Sequence, residues 1–348
     1  MSVFRFPPPR GKSRHLAPPR GSLAPKLFSM YFVPFLTSSR DSCDSNISNA
    51  SQTSRLTAFE HTPANPASQP RHLLLFIGGL SDGLLTVPYS TTLATALPET
   101  WTLAEVHLSS SYSGWGTSNL QRDVSELSKC VTYFRTIKPG KIVLMGHSTG
   151  CQDIMEYLTG PDHSSRAKID GGILQGPVSD RQAIVSGLDP SLYVGSCAVA
   201  QGMLDIGDGD EIMPSYSMRN FFGTAPVSAK RWLSLASPNH DGADDFFSSD
   251  LSDERLMQTF GKLPKGVPVC VMHSEKDEYV DAGIDKGALI ERWIEAVKKG
   301  GGSVDELHSG VIKGATHNLQ TCSDEVIERL VERVLGFLDG LEKQKPVL

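Results

Sequence analysis

The sequence predicts an α/β fold: a mostly parallel central sheet flanked by helices, with a helical cap inserted late in the chain. Three observations carry this. Apolar runs such as His72-Leu73-Leu74-Leu75-Phe76-Ile77 and Val267-Pro268-Val269-Cys270-Val271-Met272 end at glycine or polar loops, as strands covered on both faces do. Stretches with apolar residues at helical spacing lie between these runs, which is the rhythm of a parallel sheet. From about 181 to 263 the rhythm stops, and short amphipathic pieces alternate with acidic loops.

The chain has 348 residues, enough for one large α/β domain with an insertion or for two ordinary domains. Hydrophobic residues make up 39% and charged residues 21%, which suits a globular protein in water. A formal net charge of -6 argues against nucleic acid as a partner. No apolar run is long enough to span a bilayer, so stable membrane insertion is not expected. The cysteines (Cys43, Cys130, Cys151, Cys197, Cys270, Cys322) form no C-x-x-C pair and no His/Cys cluster, so they suggest no metal site. Cys130 and Cys270 sit inside apolar patterns, as buried free thiols do, which favours a reducing, cytoplasmic location.

Residues 1–55 differ from the rest and are expected to be a disordered or targeting extension. Arg5, Arg10, Lys12, Arg14, Arg20, Lys26 and Arg40 all precede the first acidic residue, Asp41, among prolines and serines. An Arg- and Ser-rich, acid-poor terminus suits mitochondrial targeting, but Pro7-Pro8-Pro9 and Pro18-Pro19 break the helix such a peptide needs. Leu27 to Leu36 is apolar like a signal-peptide core, without a clean cleavage site after it. Asn46-Ile47-Ser48 and Asn49-Ala50-Ser51 are sequons that matter only if the chain is secreted. Gly11-Lys12-Ser13 lacks the strand and first glycine of a phosphate loop.

The domain proper, 56–348, opens with Leu56 to His61 as a short edge strand. His72 to Ile77 follows and ends in Gly78-Gly79-Leu80-Ser81-Asp82-Gly83. Such a loop is either a tight turn or a close backbone approach to ligand. In the second case the N–H of Leu80 is a candidate oxyanion donor. Trp101 to Leu108 is the next strand, opening into Ser109 to Ser118, a small-residue loop with Tyr112 and Trp115 as candidate substrate contacts. Trp115 suits an apolar wall or a structural plug equally. Val124, Leu127, Val131 and Phe134 give the helix from about 119 to 137 its core stripe.

Lys141 to Met145 is a buried strand, and Cys151 to Leu158 reads as a helix. Between them stands Gly146-His147-Ser148-Thr149-Gly150, a G-x-S-x-G turn in the strand–turn–helix context of a nucleophile elbow. Ser148 is the candidate nucleophile, and Thr149 N–H, at the positive end of the helix, the other oxyanion donor. Ile169 to Gln175 forms another strand before the insertion. Its acidic loops suit either a solvated surface or a field for a cationic substrate. Asp205-Ile206-Gly207-Asp208-Gly209-Asp210 lacks the spacing of a calcium loop. Past the strand ending at Met272, Asp277 is the candidate acid, with Glu275 and Asp281 as rivals. A helix over 286–298, a strand over 304–311 and a last helix over 324–341 complete the chain. His317, ahead of that helix, is the candidate base; His273, ahead of the acid, fits the order less well.

Ser148, Asp277 and His317, in that order, resemble the triad of the α/β-hydrolase superfamily over roughly 56–341. Ser111-Tyr112-Ser113-Gly114-Trp115-Gly116, Lys230-Arg231-Trp232-Leu233-Ser234-Leu235 and Asp244-Asp245-Phe246-Phe247-Ser248-Ser249-Asp250-Leu251 are similar to a narrower, mostly fungal hydrolase family. That family includes esterases of fusarinine-type hydroxamate siderophores. The resemblance implies an intracellular serine esterase that opens the ester bonds of an iron-carrying ring, with a small-molecule ester as its partner and no cofactor. Two other readings fit the same residues: an acyltransferase or thioesterase-like tailoring enzyme of secondary metabolism, and a catalytically inactive hydrolase-fold binding protein.

Overall fold

The computed structural model describes residues 31–35, 56–61, 65, 69–214 and 223–343. The two sequons and most of the basic N-terminal stretch lie outside the described residues. The strands are β1 (Tyr31–Phe35), β2 (Leu56–Glu60), β3 (His72–Ile77), β4 (Trp101–His107), β5 (Ile142–His147), β6 (Gly171–Gln175), β7 (Val269–Ser274) and β8 (Gly310–Ile312). They form one sheet in the order β1-β2-β4-β3-β5-β6-β7-β8. β1 with β2 and β2 with β4 are antiparallel; every other pairing is parallel. The register Ile77↔Gly146, His147↔Gln175, Gln175↔Met272 and Ser274↔Ile312 brings the carboxyl ends of β3, β5, β6, β7 and β8 to one edge. The loops that leave those ends therefore share one crevice, where open parallel sheets bind ligands. This is the architecture of an α/β-hydrolase.

The helices are α1 (Tyr89–Ala96), α2 (Leu120–Ile137), α3 (Gly150–Thr159), α4 (Asp180–Gly187), α5 (Pro190–Asp205), α6 (Ala229–Ala236), α7 (Asp253–Gln258), α8 (Lys286–Gly300) and α9 (Asp324–Lys343). Side-chain alternation along the strands splits the core in two. Leu73, Leu75, Ile142 and Leu144 pack with Val124, Leu127 and Phe134 of α2 and Trp293 of α8, while Leu74, Phe76, Val143 and Met145 pack with Leu93 of α1 and Val334 and Phe337 of α9. Among the described residues, no helix is long and apolar enough to cross a membrane.

The structure departs from the sequence reading in four places. Leu56–Glu60 is not at the edge, because Tyr31–Phe35, within the stretch read as an extension, pairs along its whole length. Residues 84–100 suggested no element, yet α1 forms there. Its run Tyr-Ser-Thr-Thr-Leu-Ala-Thr-Ala is poor in helix formers, and burial of Tyr89, Leu93 and Ala94 holds it instead. The expected strand over 304–311 shrinks to Gly310–Ile312 and a lone bridge from Val304 to Val269, because Asp305 accepts the His308 N–H at 2.8 Å and turns the chain.

The insertion divides as well. Ile184, Leu188, Cys197, Ala200, Trp232 and Leu235 pack with Trp115 into a separate cap cluster, whereas Phe246, Phe247, Phe260 and Leu263 join the main core. The acidic loops divide with it. Asp244 pairs with Arg231, and Asp245 and Asp250 pair with Arg181. Asp205, Asp208 and Glu211 stay exposed.

Candidate active site

Ser148 sits in the turn between β5 and α3 with φ +54°, a conformation that costs a non-glycine residue about 1–3 kcal/mol unless its surroundings impose it. The flanking glycines show what imposes it. A Cβ on Gly146 would lie 2.2 Å from the Gly150 carbonyl oxygen, and one on Gly150 would lie 2.5 Å from that of Ile77. Strand, turn and helix are pressed together, and the serine is pushed outward between them. Gly79 completes the close fit, since a Cβ there would lie 2.6 Å from Ser148 Cβ and 3.2 Å from its Oγ.

His317 follows β8 and meets Asp277, in the loop after β7, through a 2.8 Å contact of Nδ1 with Oδ2. The other oxygen of Asp277 accepts the Tyr279 N–H at 3.1 Å. Burial would raise the Asp277 pKa, but the hydrogen bond and charge of His317, with the charge of His273, outweigh it and hold the carboxyl below its ordinary value. The rival acids are engaged elsewhere: Glu275 accepts the Gly314 N–H and Asp281 the Gly283 N–H, each at 2.7 Å. His273 is buried and stacks on Trp293 at 6.4 Å. Ser148 Oγ makes no hydrogen bond with a described residue, so the Asp–His arm is closed and the Ser–His arm is open. Such contacts commonly tighten only when substrate is bound.

Two residues beside His317 gave no sequence signal. Glu278 accepts its backbone N–H at 2.9 Å, and Gln175 Nε2 donates to its carbonyl at 3.3 Å. Glu278 is one more carboxylate in a crowded loop, and Gln175 merely ends an apolar strand. Only the fold brings them to the histidine.

The glycine loop after β3 is organised by Asp82. Its Oδ2 accepts the Gly79 N–H at 2.8 Å, and its own N–H donates to the Gly79 carbonyl at 3.0 Å. The N–H groups of Leu80 and Thr149 make no hydrogen bond with described residues. Both residues line one small cavity of about 30 Å³ with Trp115, Asp153 and Arg231. Thr149 precedes α3, so the positive end of that helix faces the same spot. Trp115 lines this cavity, which neither Ser148 nor His317 lines, and packs in the cap cluster as a structural plug does. Tyr112 is not brought there. It is half-exposed, its hydroxyl accepts the Leu84 N–H at 3.1 Å, and its ring fills the space beside Gly83, so it braces the glycine loop from outside.

A family model described as "Protein of unknown function (DUF1749)" matches residues 44–339. The chain belongs to this family. The DUF1749 span contains Ser148, Asp277, His317 and the whole cap. Fusarinine C esterase sidJ of Aspergillus fumigatus is 37% identical over 338 residues, covering 84% of this chain and 95% of that protein. Esterase AN6793 of Emericella nidulans is 37% identical over 347 residues, covering 83% and 91%. The solved structure of the siderophore hydrolase EstB from Aspergillus fumigatus aligns with a TM-score of 0.72 at 36% identity, covering 84% of this chain and 96% of that one.

Proposed function

We propose that the protein is a serine esterase that cleaves ester bonds of a fusarinine-type hydroxamate siderophore, freeing the iron its ring carries. The observation that carries the chemistry is the strained Ser148, with the N–H groups of Leu80 and Thr149 engaged by no described residue and the His317–Asp277 pair formed by the loops after β8 and β7. His317 takes the proton from Ser148 as Oγ attacks the ester carbonyl. Asp277 holds the imidazole in the tautomer that bears hydrogen on Nδ1 and offsets the charge as it becomes imidazolium. The N–H groups of Leu80 and Thr149 receive the oxyanion, each worth about 3 kcal/mol in the barrier. His317 protonates the departing alcohol, then activates the water that resolves the acyl-enzyme. The substrate class is supported by similarity to the named fusarinine C esterase and siderophore hydrolase.

The test is incubation of purified protein with ferric and iron-free fusarinine C, followed by mass spectrometry. Linear fragments are expected from wild type, and Ser148→Ala is expected to fall by about 10⁶-fold, to background. Labelling of wild type by a fluorophosphonate without any fragments would keep the serine chemistry and discard the siderophore.

A further inference from the structure

Gln175, at the end of β6, is fully buried below the site and connects parts of it that are far apart in sequence. Its Nε2 faces two acceptors, the His317 carbonyl at 3.3 Å and Ser274 Oγ at 3.4 Å. That orientation turns Oε1 toward the Tyr89 hydroxyl and His147 Nδ1, each at 2.6 Å. An amide oxygen only accepts, so His147 must carry hydrogen on Nδ1, and in the neutral ring Nε2 is bare. Burial, then the neighbouring His317, push the His147 pKa down to about 4 against the opposing pull of Asp82, the Gln175 hydrogen bond and Asp277, so the ring is neutral near pH 7.

The other side of the ring looks toward the glycine loop. Nε2 lies 4.0 Å from Asp82 Oδ2, the oxygen that accepts the Gly79 N–H. The ring lies 4.8 Å from that of His317 and 5.9 Å from that of Tyr89, which meets it edge-on. His147 is also bonded directly to Ser148. One side chain therefore reaches the nucleophile through the backbone and the base both through Gln175 and ring to ring, while its bare Nε2 makes no bond to Asp82.

We infer that His147, the variable residue of the G-x-S-x-G turn, is a positioning residue that keeps the His317 segment in register with Ser148. It acts through Gln175 and through the contact of its ring with that of His317. The inference rests on the esterase reading, because register matters only if these groups react together. A misplacement of even about 1 Å in such a constellation costs on the order of a hundredfold in rate.

The experiment compares wild type, His147→Phe, His147→Asn, Gln175→Met and the Phe/Met double variant on an activated ester such as p-nitrophenyl acetate, with melting curves for each. His147→Phe removes the donor to Gln175 and is expected to lower kcat by roughly tenfold to a hundredfold with KM within about twofold. His147→Asn places an amide N–H where Nδ1 stood and is expected to recover most of that loss. Gln175→Met is expected to show the same kcat-only loss, and the double variant to lose no more than the larger single. If His147→Phe does not fold, Gln175→Met and His147→Asn decide the matter by the same criteria. Wild-type kcat in His147→Phe or Gln175→Met, a loss confined to KM, or full additivity in the double variant overturns the inference and leaves the esterase reading standing. A wild type that neither turns over the ester nor accepts a fluorophosphonate label overturns both.

Discussion

Around the sheet, strand side chains from Leu73 to Ile77 and from Ile142 to Met145 are wholly buried among apolar residues of α1, α2, α8 and α9. Over the crevice, the smaller cap cluster is fastened to the body by charge. Arg231 of α6 donates from Nη1 to both oxygens of Asp244 at 2.7 and 2.8 Å, and from Nε to the Trp115 carbonyl at 3.0 Å. Arg181 of α4 donates from Nε to Asp245 at 2.8 Å and from Nη2 to Asp250. Apolar packing is non-directional and spreads strain over many contacts, whereas a buried ion pair is directional and fails when either partner is lost. The difference teaches where change is tolerated. The groups proposed to react stand on the apolar body, and the surface that covers them is clipped on.

Asp277→Asn tests the body and carries the largest expected effect. The amide has nearly the shape of the carboxyl but cannot hold His317 in the same tautomer or offset its charge, so kcat should fall by about 10⁴-fold while the fold persists. Single-turnover acylation by p-nitrophenyl acetate measures it. A loss below tenfold would remove Asp277 from the reaction and break the assignment of the chemistry to the body.

Arg231→Met tests the cap. It leaves the Asp244 carboxyl buried without its cation, which costs about 3–5 kcal/mol. Urea unfolding should show that loss, and adding Asp244→Leu should restore most of it. A small fluorophosphonate should still label Ser148 in the folded fraction of Arg231→Met. If labelling disappears there, the chemistry depends on the clip and the contrast between the two regions fails.

The same contrast explains what could be read in the sequence. Ser148 was legible because glycines must flank a serine squeezed between strand and helix, and a backbone clash leaves no substitute. His317 and Asp277 were legible through chain order, with Glu275 and Asp281 separable from Asp277 only once the Gly314 and Gly283 N–H groups were seen to occupy them. The apolar strands gave the sheet, although the pairing of Tyr31–Phe35 was not legible, because the apolar run that holds it suited a signal-peptide core as well. Long-range polar contacts were not legible. Nothing in Asp244, Asp245 or Asp250 says that Arg231, a helix away, and Arg181, far off in sequence, hold them, so loops that read as acidic surface are partly buried anchors. Tyr112 was placed in the right loop and on the wrong side of it, because periodicity does not fix where a loop residue with φ +57° points.

The smallest effect concerns the cost of burying a titratable group in the apolar body. His273 lies near the end of β7, stacks on Trp293, and has no hydrogen-bond partner at Nδ1 among the described residues. Burial pushes its pKa down to about 4; Asp277 and a Ser274 backbone hydrogen bond pull it up, and Lys286 and His317 push it further down. In the unfolded chain it titrates near the ordinary histidine value of about 6.5. As pH falls from 6.5 to 4 the unfolded state binds a proton that the folded state refuses, so stability falls across that window and is unaffected by this group above it. At pH 5 the penalty is about 2 kcal/mol. His273→Phe keeps an aromatic ring against Trp293 and has no proton to bind. Whatever the variant's stability relative to wild type at pH 7, that difference should move by about 2 kcal/mol in the variant's favour at pH 5, read from urea unfolding at both values. Other buried groups, His147 among them, titrate in both proteins and cancel from the comparison. An unchanged difference between pH 7 and pH 5 would mean that the body accommodates the charged imidazole, and that its apolar character stops short of the carboxyl end of β7.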